Sequence, residues 1–164
     1  MSRAFVNEDD QRETPFVAPR ADLPEGVPNY VTPEGMEALL AEKESLLSEL
    51  IQAKQDKHDS QNSVTIVNTK LQMIENRILS AQVIHKEDSS YKEVAFGAIV
   101  TLQIGSSGKE QKFQIVGVDE ADLKKGKLAF TSPLAKVLMH KKAGESAILK
   151  LELGERIFKI IKIE

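Results

Sequence analysis

The chain has 164 residues, 41% apolar, 29% charged and 5% aromatic, with no Cys, no Trp and a formal net charge of -3. That length holds one ordinary domain or two small ones, and the lack of Cys excludes a disulfide scaffold or a thiolate metal site and fits a reducing compartment. No apolar run nears the ~20 residues of a membrane span, no signal-like leader opens the chain, and the mild acidity argues against a protein that wraps bare nucleic acid, so a cytoplasmic location is expected.

Proline divides the chain first. Five of the six prolines (Pro15, Pro19, Pro24, Pro28, Pro33) fall in the first 33 residues, among Glu8, Asp9, Asp10, Glu13, Asp22 and Glu25. Such a segment buries too little apolar surface to offset its ordering entropy, so residues 1–31 read as an extended or disordered arm. Phe5, Phe16 and Tyr30 are its candidate anchors.

Residues 32–85 read as an antiparallel α-helical coiled-coil hairpin. Thr32-Pro33-Glu34 is a helix start, with Thr32 as N-cap, Pro33 at the first helical position and Glu34 in the positive first turn. Met36, Leu39, Leu46, Leu50 and Ala53 recur at helical spacing, although Lys43 interrupts the stripe. Val64, Val67, Leu71, Ile74, Ile78 and Ala81 then alternate steps of 3 and 4 without a miss. The polar run between them predicts a reversal, placing the tip near 56–62. Each arm is ~35 Å long at 1.5 Å per residue, and a two-helix seam of that length should project from a body.

That body is residues 86–164, read as a small antiparallel β domain with one helix, which makes the fold class α+β. Ile99, Leu102 and Ile104 mark one strand, Phe113, Ile115 and Val116 a second, and Leu128 to Phe130 a third. Ser132-Pro133 opens a helix through Leu134, Val137 and Leu138. Ile148, Leu149 and Leu151, then Ile157, Ile160, Ile161 and Ile163, supply the last strands. This part carries 14 basic and 11 acidic side chains, so the negative charge lies in the arm and hairpin.

The motifs in this order resemble the GreA/GreB family of bacterial transcript cleavage and elongation factors. The resemblance runs through Thr32-Pro33-Glu34-Gly35, Ala81-Gln82-Val83-Ile84, Phe96-Gly97-Ala98, Ile115-Val116-Gly117-Val118-Asp119-Glu120-Ala121-Asp122, Ser132-Pro133-Leu134-Ala135-Lys136-Val137-Leu138 and Gly144-Glu145. Ser2-Arg3-Ala4-Phe5, Leu23-Pro24 and Pro28-Asn29-Tyr30 resemble the leader of some GreB-like members. The resemblance implies an FKBP-like β domain docked at the rim of the secondary channel of RNA polymerase. It also implies a coiled coil inserted toward the active centre near the RNA 3′ end, and a monomeric accessory factor that is not itself an enzyme. It brings no cofactor of its own beyond a share in the polymerase Mg²⁺. In that family the Ser-Pro end of the helix, here Ser132 and Pro133, lies at the polymerase rim. Asp119, Glu120 and Asp122 form an acidic turn that is either solvated or a second docking contact.

The tip departs from the family. Cleavage-stimulating members read Asp-Leu-(Arg/Lys)-Glu-Asn-Ala-(Glu/Asp)-Tyr there, whereas this chain reads Asp56-Lys57-His58-Asp59-Ser60-Gln61-Asn62-Ser63. Asp56 and Asp59 keep an acid-x-x-acid spacing suited to shared Mg²⁺ ligation. The same residue types also suit any helix reversal. The hairpin is shorter than in cleavage factors by roughly two turns per arm, which withdraws the tip by ~10 Å. Two readings therefore stand open: stimulation of cleavage through Asp56 and Asp59, or occupation of the channel without cleavage.

Other classes fare worse. A peptidyl-prolyl isomerase would follow from an FKBP-like fold alone, but Tyr91, Phe96, Phe113, Phe130 and Phe158 mostly belong to strand patterns and so to the core. His58, His85 and His140 lack ligand spacing for a metalloenzyme. A coiled-coil module that ignores polymerase would not account for the Ser-Pro motif.

Overall fold

A computed structural model of the chain describes residues 14–58, 60–86 and 90–164. Residues 14–28 form no regular element, but Asn29–Val31 is a strand, β1, at the end of the expected arm. It pairs in parallel with β2 (Ala81–Val83), with Asn29 opposite Ala81 and Val31 opposite Val83. The last three residues of the expected arm are thus strand. Val31 is almost wholly buried among the hairpin's apolar residues, and that burial holds the strand in place.

Between these strands run α1 (Pro33–Gln55) and α2 (Ser60–Ser80). Their seam is Leu39 and Leu46 against Val67, Leu71 and Ile74, flanked by Met36, Leu50 and Ile78. The spacing of 3 and 4 that predicts the seam is what buries it, because such residues share one helix face. Asn29 closes the far end of α2: its side-chain amide donates to the carbonyl of Arg77 (2.9 Å) and to Ser80 Oγ (3.1 Å). A helix end otherwise leaves such carbonyls without a partner.

The β domain contains β3 (Ile99–Ile104), β4 (Lys109–Val116), β5 (Lys127–Ala129), α3 (Pro133–Leu138), β6 (Ser146–Leu151) and β7 (Gly154–Ile163). The five strands lie in the order β5-β4-β3-β7-β6. Every neighbouring pair is antiparallel except β4 and β5, which run parallel, so the sheet is mixed and not antiparallel throughout. The connection from Gly117 to Gly126 explains this. It holds two 3-10 turns, Val118–Glu120 and Leu123–Lys125, and so crosses over where a tight hairpin would reverse. Gly126 ends it at φ 70°, and a Cβ there would lie 2.7 Å from the Lys112 carbonyl oxygen. Only glycine fits.

One face of the sheet packs on α3: Ala135 and Leu138 join Val100, Leu102, Ile115, Phe158 and Ile160 in the core. Among the described residues no helix is long and apolar enough to cross a membrane. The α+β class read from the sequence is the observed one.

Candidate functional site

Thr32 heads α1 as its N-cap, its hydroxyl accepting from the Gly35 N–H at 3.0 Å. An ordinary capping box would add a carboxylate from the third helical residue, reaching back to the cap's own N–H. Here that third residue is Gly35, which has no side chain. Glu120 of the β domain supplies the carboxylate instead. Its Oε2 accepts from the Thr32 N–H (3.0 Å) and from the Gly117 N–H (3.1 Å), and its Oε1 accepts from the Thr32 hydroxyl. One side chain thus caps α1 and the 3-10 turn at 118–120. A Cβ on Gly35 would lie 2.1 Å from Glu120 Cδ, so the glycine makes the space this cap needs.

Asp119 faces the other helix and the arm. Its side chain is 6% exposed, with Oδ2 3.0 Å from Arg77 Nε of α2 and Oδ1 accepting from Arg20 Nε at 3.0 Å. Arg20 also grips Glu42 of α1 with two parallel bonds, 2.7 and 3.1 Å long. The Glu42 hydrogen bond, with the nearby Asp119 and Glu42 charges, outweighs burial and raises the pKa of the guanidinium, so Arg20 stays charged. Arg77 further donates to the Ala21 carbonyl. A third contact is aromatic. Tyr30 of β1 packs against Phe96 and Phe130, with ring centroids 5.5 to 5.8 Å apart, filling the aromatic recess of the β domain.

The acidic turn expected at the surface is therefore spent inside the molecule. Asp119 and Glu120 hold the hairpin to the β domain, because buried carboxylates persist only with cations or donors around them. Asp122 stands apart: its carboxylate accepts from the Lys124 N–H at 3.1 Å and caps the turn at 123–125. Ser132 caps α3, accepting from the Ala135 N–H at 3.3 Å, and Pro133 is exposed beside it. At the hairpin tip Asp56, Lys57 and His58 are exposed, and the Asp56 carboxylate accepts from the His58 N–H at 3.1 Å. Asp59 lies outside the described residues. Among the described residues no group of three or more His, Cys, Asp or Glu is placed to hold a metal ion.

Residues 88–164 match the family model described as transcription elongation factor, GreA/GreB, C-term. The chain is 36% identical over 107 residues to the transcription elongation factor GreA of Alkalilimnicola ehrlichii, covering 65% of this chain and 68% of that protein. It is 32% identical over 106 residues to the GreA of Hyphomonas neptunium, with the same coverage. The chain belongs to the GreA/GreB family. Among solved structures, a GreA/GreB factor from Nitrosomonas europaea is 18% identical with a TM-score of 0.41, over 82% of this chain and 97% of that one. The GreA factor homolog 1 of Thermus thermophilus is 21% identical with a TM-score of 0.40 over the same shares.

Within this GreA/GreB chain the structure brings together two groups that are far apart in sequence. Glu120 meets Thr32 and Gly35 at the base of the hairpin, and Asp119 meets Arg77 and, through Arg20, Glu42 farther along it. Ser132, Pro133 and Asp122 remain on the β-domain surface, and Asp56 remains at the tip. Sequence reading found Thr32 as a cap and Tyr30 as a candidate anchor, but missed Arg20 and Arg77 as junction residues. The available signals were an arginine in a segment otherwise rich in acids, and a glycine where a capping box would have placed Glu.

Proposed function

We propose that this chain binds bacterial RNA polymerase as an elongation regulator, its β domain docked at the secondary-channel rim and its hairpin inserted toward the active centre. The hairpin carries this reading. Helices of 23 and 21 residues, ~35 Å long, are anchored at their base and end in an exposed tip. The start of α3, with Pro133 exposed beside the half-buried Ser132, is the docking contact, together with Asp122 at the cap of the 123–125 turn. Asp119 and Glu120 support docking only by fixing the hairpin.

The tip favours occupation of the channel. The tip sequence lacks the Asn, the second acid and the Tyr of the cleavage motif, and among the described residues Asp56 offers one exposed carboxylate, which already accepts from the His58 N–H. In a polymerase complex Asp56 would share a Mg²⁺ held mainly by the enzyme, close to the RNA 3′ end. Cleavage assays on stalled complexes of the cognate polymerase separate the readings. Binding without RNA shortening supports occupation. Shortening that is lost in Asp56→Ala with Asp59→Ala, at unchanged binding, establishes cleavage instead. Failure to bind polymerase overturns both.

A further inference from the structure

The hairpin is a lever, and its contacts with the β domain are unequal in leverage. The Glu120 cap lies at Thr32, the first residue of the lever, whereas Asp119 meets Arg77 of α2 and, through Arg20, Glu42 of α1 farther along it. Tyr30 packs on Phe96 and Phe130 one strand below. The Glu120 cap and Tyr30 hold the base in place but resist tilting weakly, because both act close to the pivot. Glu42 is ten residues beyond Thr32, ~15 Å along α1. Arg20 connects it to the β domain, with both guanidinium NH groups on the Glu42 carboxylate and Nε on Asp119. A planar guanidinium with several fixed donors holds two carboxylates in a defined geometry, which a flexible ammonium cannot do.

We infer that the arm is a brace and that Arg20 is the positioning residue that sets the direction of the hairpin. The strap is drawn tight over α2 by the bond from Arg77 to the Ala21 carbonyl, so Arg20 enters the crevice between α1 and the β domain from a fixed side. The Arg20 side chain is 18% exposed and that of Asp119 6%, so the Asp119 end of the brace is poorly screened by salt, while the Glu42 end, 46% exposed, is screened more. Its effect grows with distance. A swing of ~10° at the base displaces the end of a ~35 Å hairpin by ~6 Å. Loss of the brace therefore matters most at the tip and least at the cores, which keep their packing.

The absence of Cys makes this measurable on the full chain. Lys57→Cys at the tip and Lys150→Cys on β6, both exposed, give two unique sites for spin labels and a tip-to-body distance distribution. Arg20→Ala should broaden that distribution at least twofold while the circular dichroism spectrum stays unchanged. Arg20→Lys, which keeps the charge but not the fork, should give an intermediate width. Lys54→Ala, which removes the same charge from the hairpin away from the junction, should leave the width at its starting value. An Arg20→Ala distribution as narrow as the parent's overturns the inference, as does equal broadening by Lys54→Ala. The readout uses the free protein, so it stands or falls separately from polymerase binding.

Discussion

Replacing Glu120 by Ala leaves three donors at the junction without their acceptor: the Thr32 N–H, the Thr32 hydroxyl and the Gly117 N–H. Hydrogen bonds to a charged acceptor contribute ~1.5–3 kcal/mol each, but donors at a half-buried site recover water when the carboxylate goes. The expected loss is about 3 kcal/mol in urea unfolding. Gly35 gives a sharper test, because two effects oppose each other. Helix propensity favours Ala over Gly by about 1 kcal/mol. The new Cβ, however, would lie 2.1 Å from Glu120 Cδ and must expel the carboxylate. Gly35→Ala should destabilise the parent protein yet stabilise the Glu120→Ala variant, a reversal of sign that a double-mutant cycle reads directly. Glu164 gives the pH prediction at this scale. Its hydrogen bond from Lys162 (2.8 Å), with that from Lys112 (3.3 Å), holds its carboxyl below the ordinary glutamate range. A depressed folded-state pKa stabilises above the unfolded value, and that stability is lost as pH falls through the folded one. A carboxyl NMR titration should give Glu164 a midpoint below the ordinary glutamate range, and Lys162→Ala should raise it more than Lys112→Ala.

The elements differ in how far local sequence specifies them. The hairpin was legible because each seam residue is announced by its neighbours three and four places away. Both helix starts with Pro behind a hydroxyl cap, at Thr32 and Ser132, were legible for the same reason. β1 and β2 were not: three-residue strands that pair across some fifty residues leave no local pattern, and Val31 earns its burial only after the hairpin has formed. The parallel placement of β5 was hidden likewise, since two 3-10 turns look like any polar loop until their crossover is seen. The Ser-Pro end and Asp56 could be placed from motif and spacing. The roles of Asp119 and Glu120 could not, because an acidic run reads the same whether it meets water or an arginine from residue 20. Ile74 tests the legible part. It is fully buried in the seam, and truncation of a buried Ile costs about 2–5 kcal/mol through lost transfer energy and the cavity left behind. In a two-layer seam that collapses easily, Ile74→Ala should fall near 3 kcal/mol, whereas exposed Leu79→Ala should stay within about 0.5 kcal/mol of the parent.

At the scale of the whole molecule the question is where the hairpin gets its stability. Most helical stability in proteins comes from packing an apolar face, and a two-helix seam has no third layer to bury its outer faces. Leu40, Leu47 and Ile51 all remain substantially exposed on α1. The β domain has a sheet, a helix across it and a continuous core, so it is the more self-sufficient part. The hairpin therefore draws on the junction: the Glu120 cap, the Arg20 and Arg77 pairs with Asp119, and Tyr30 seated between Phe96 and Phe130. Coupling of this kind makes two structural units melt as one. The parent protein should show one unfolding transition, coincident by helical circular dichroism and by amide exchange in β3 and β7. Glu120→Ala combined with Arg20→Ala should split it, with helical signal lost several degrees before the sheet amides lose protection. Because the same changes leave the β-domain core untouched, the second transition should stay close to the parent's. Coincident transitions in the double variant would mean that the hairpin stands without the Glu120 cap and the Arg20 brace, and that β1, Tyr30 and the Arg77–Asp119 pair carry the coupling.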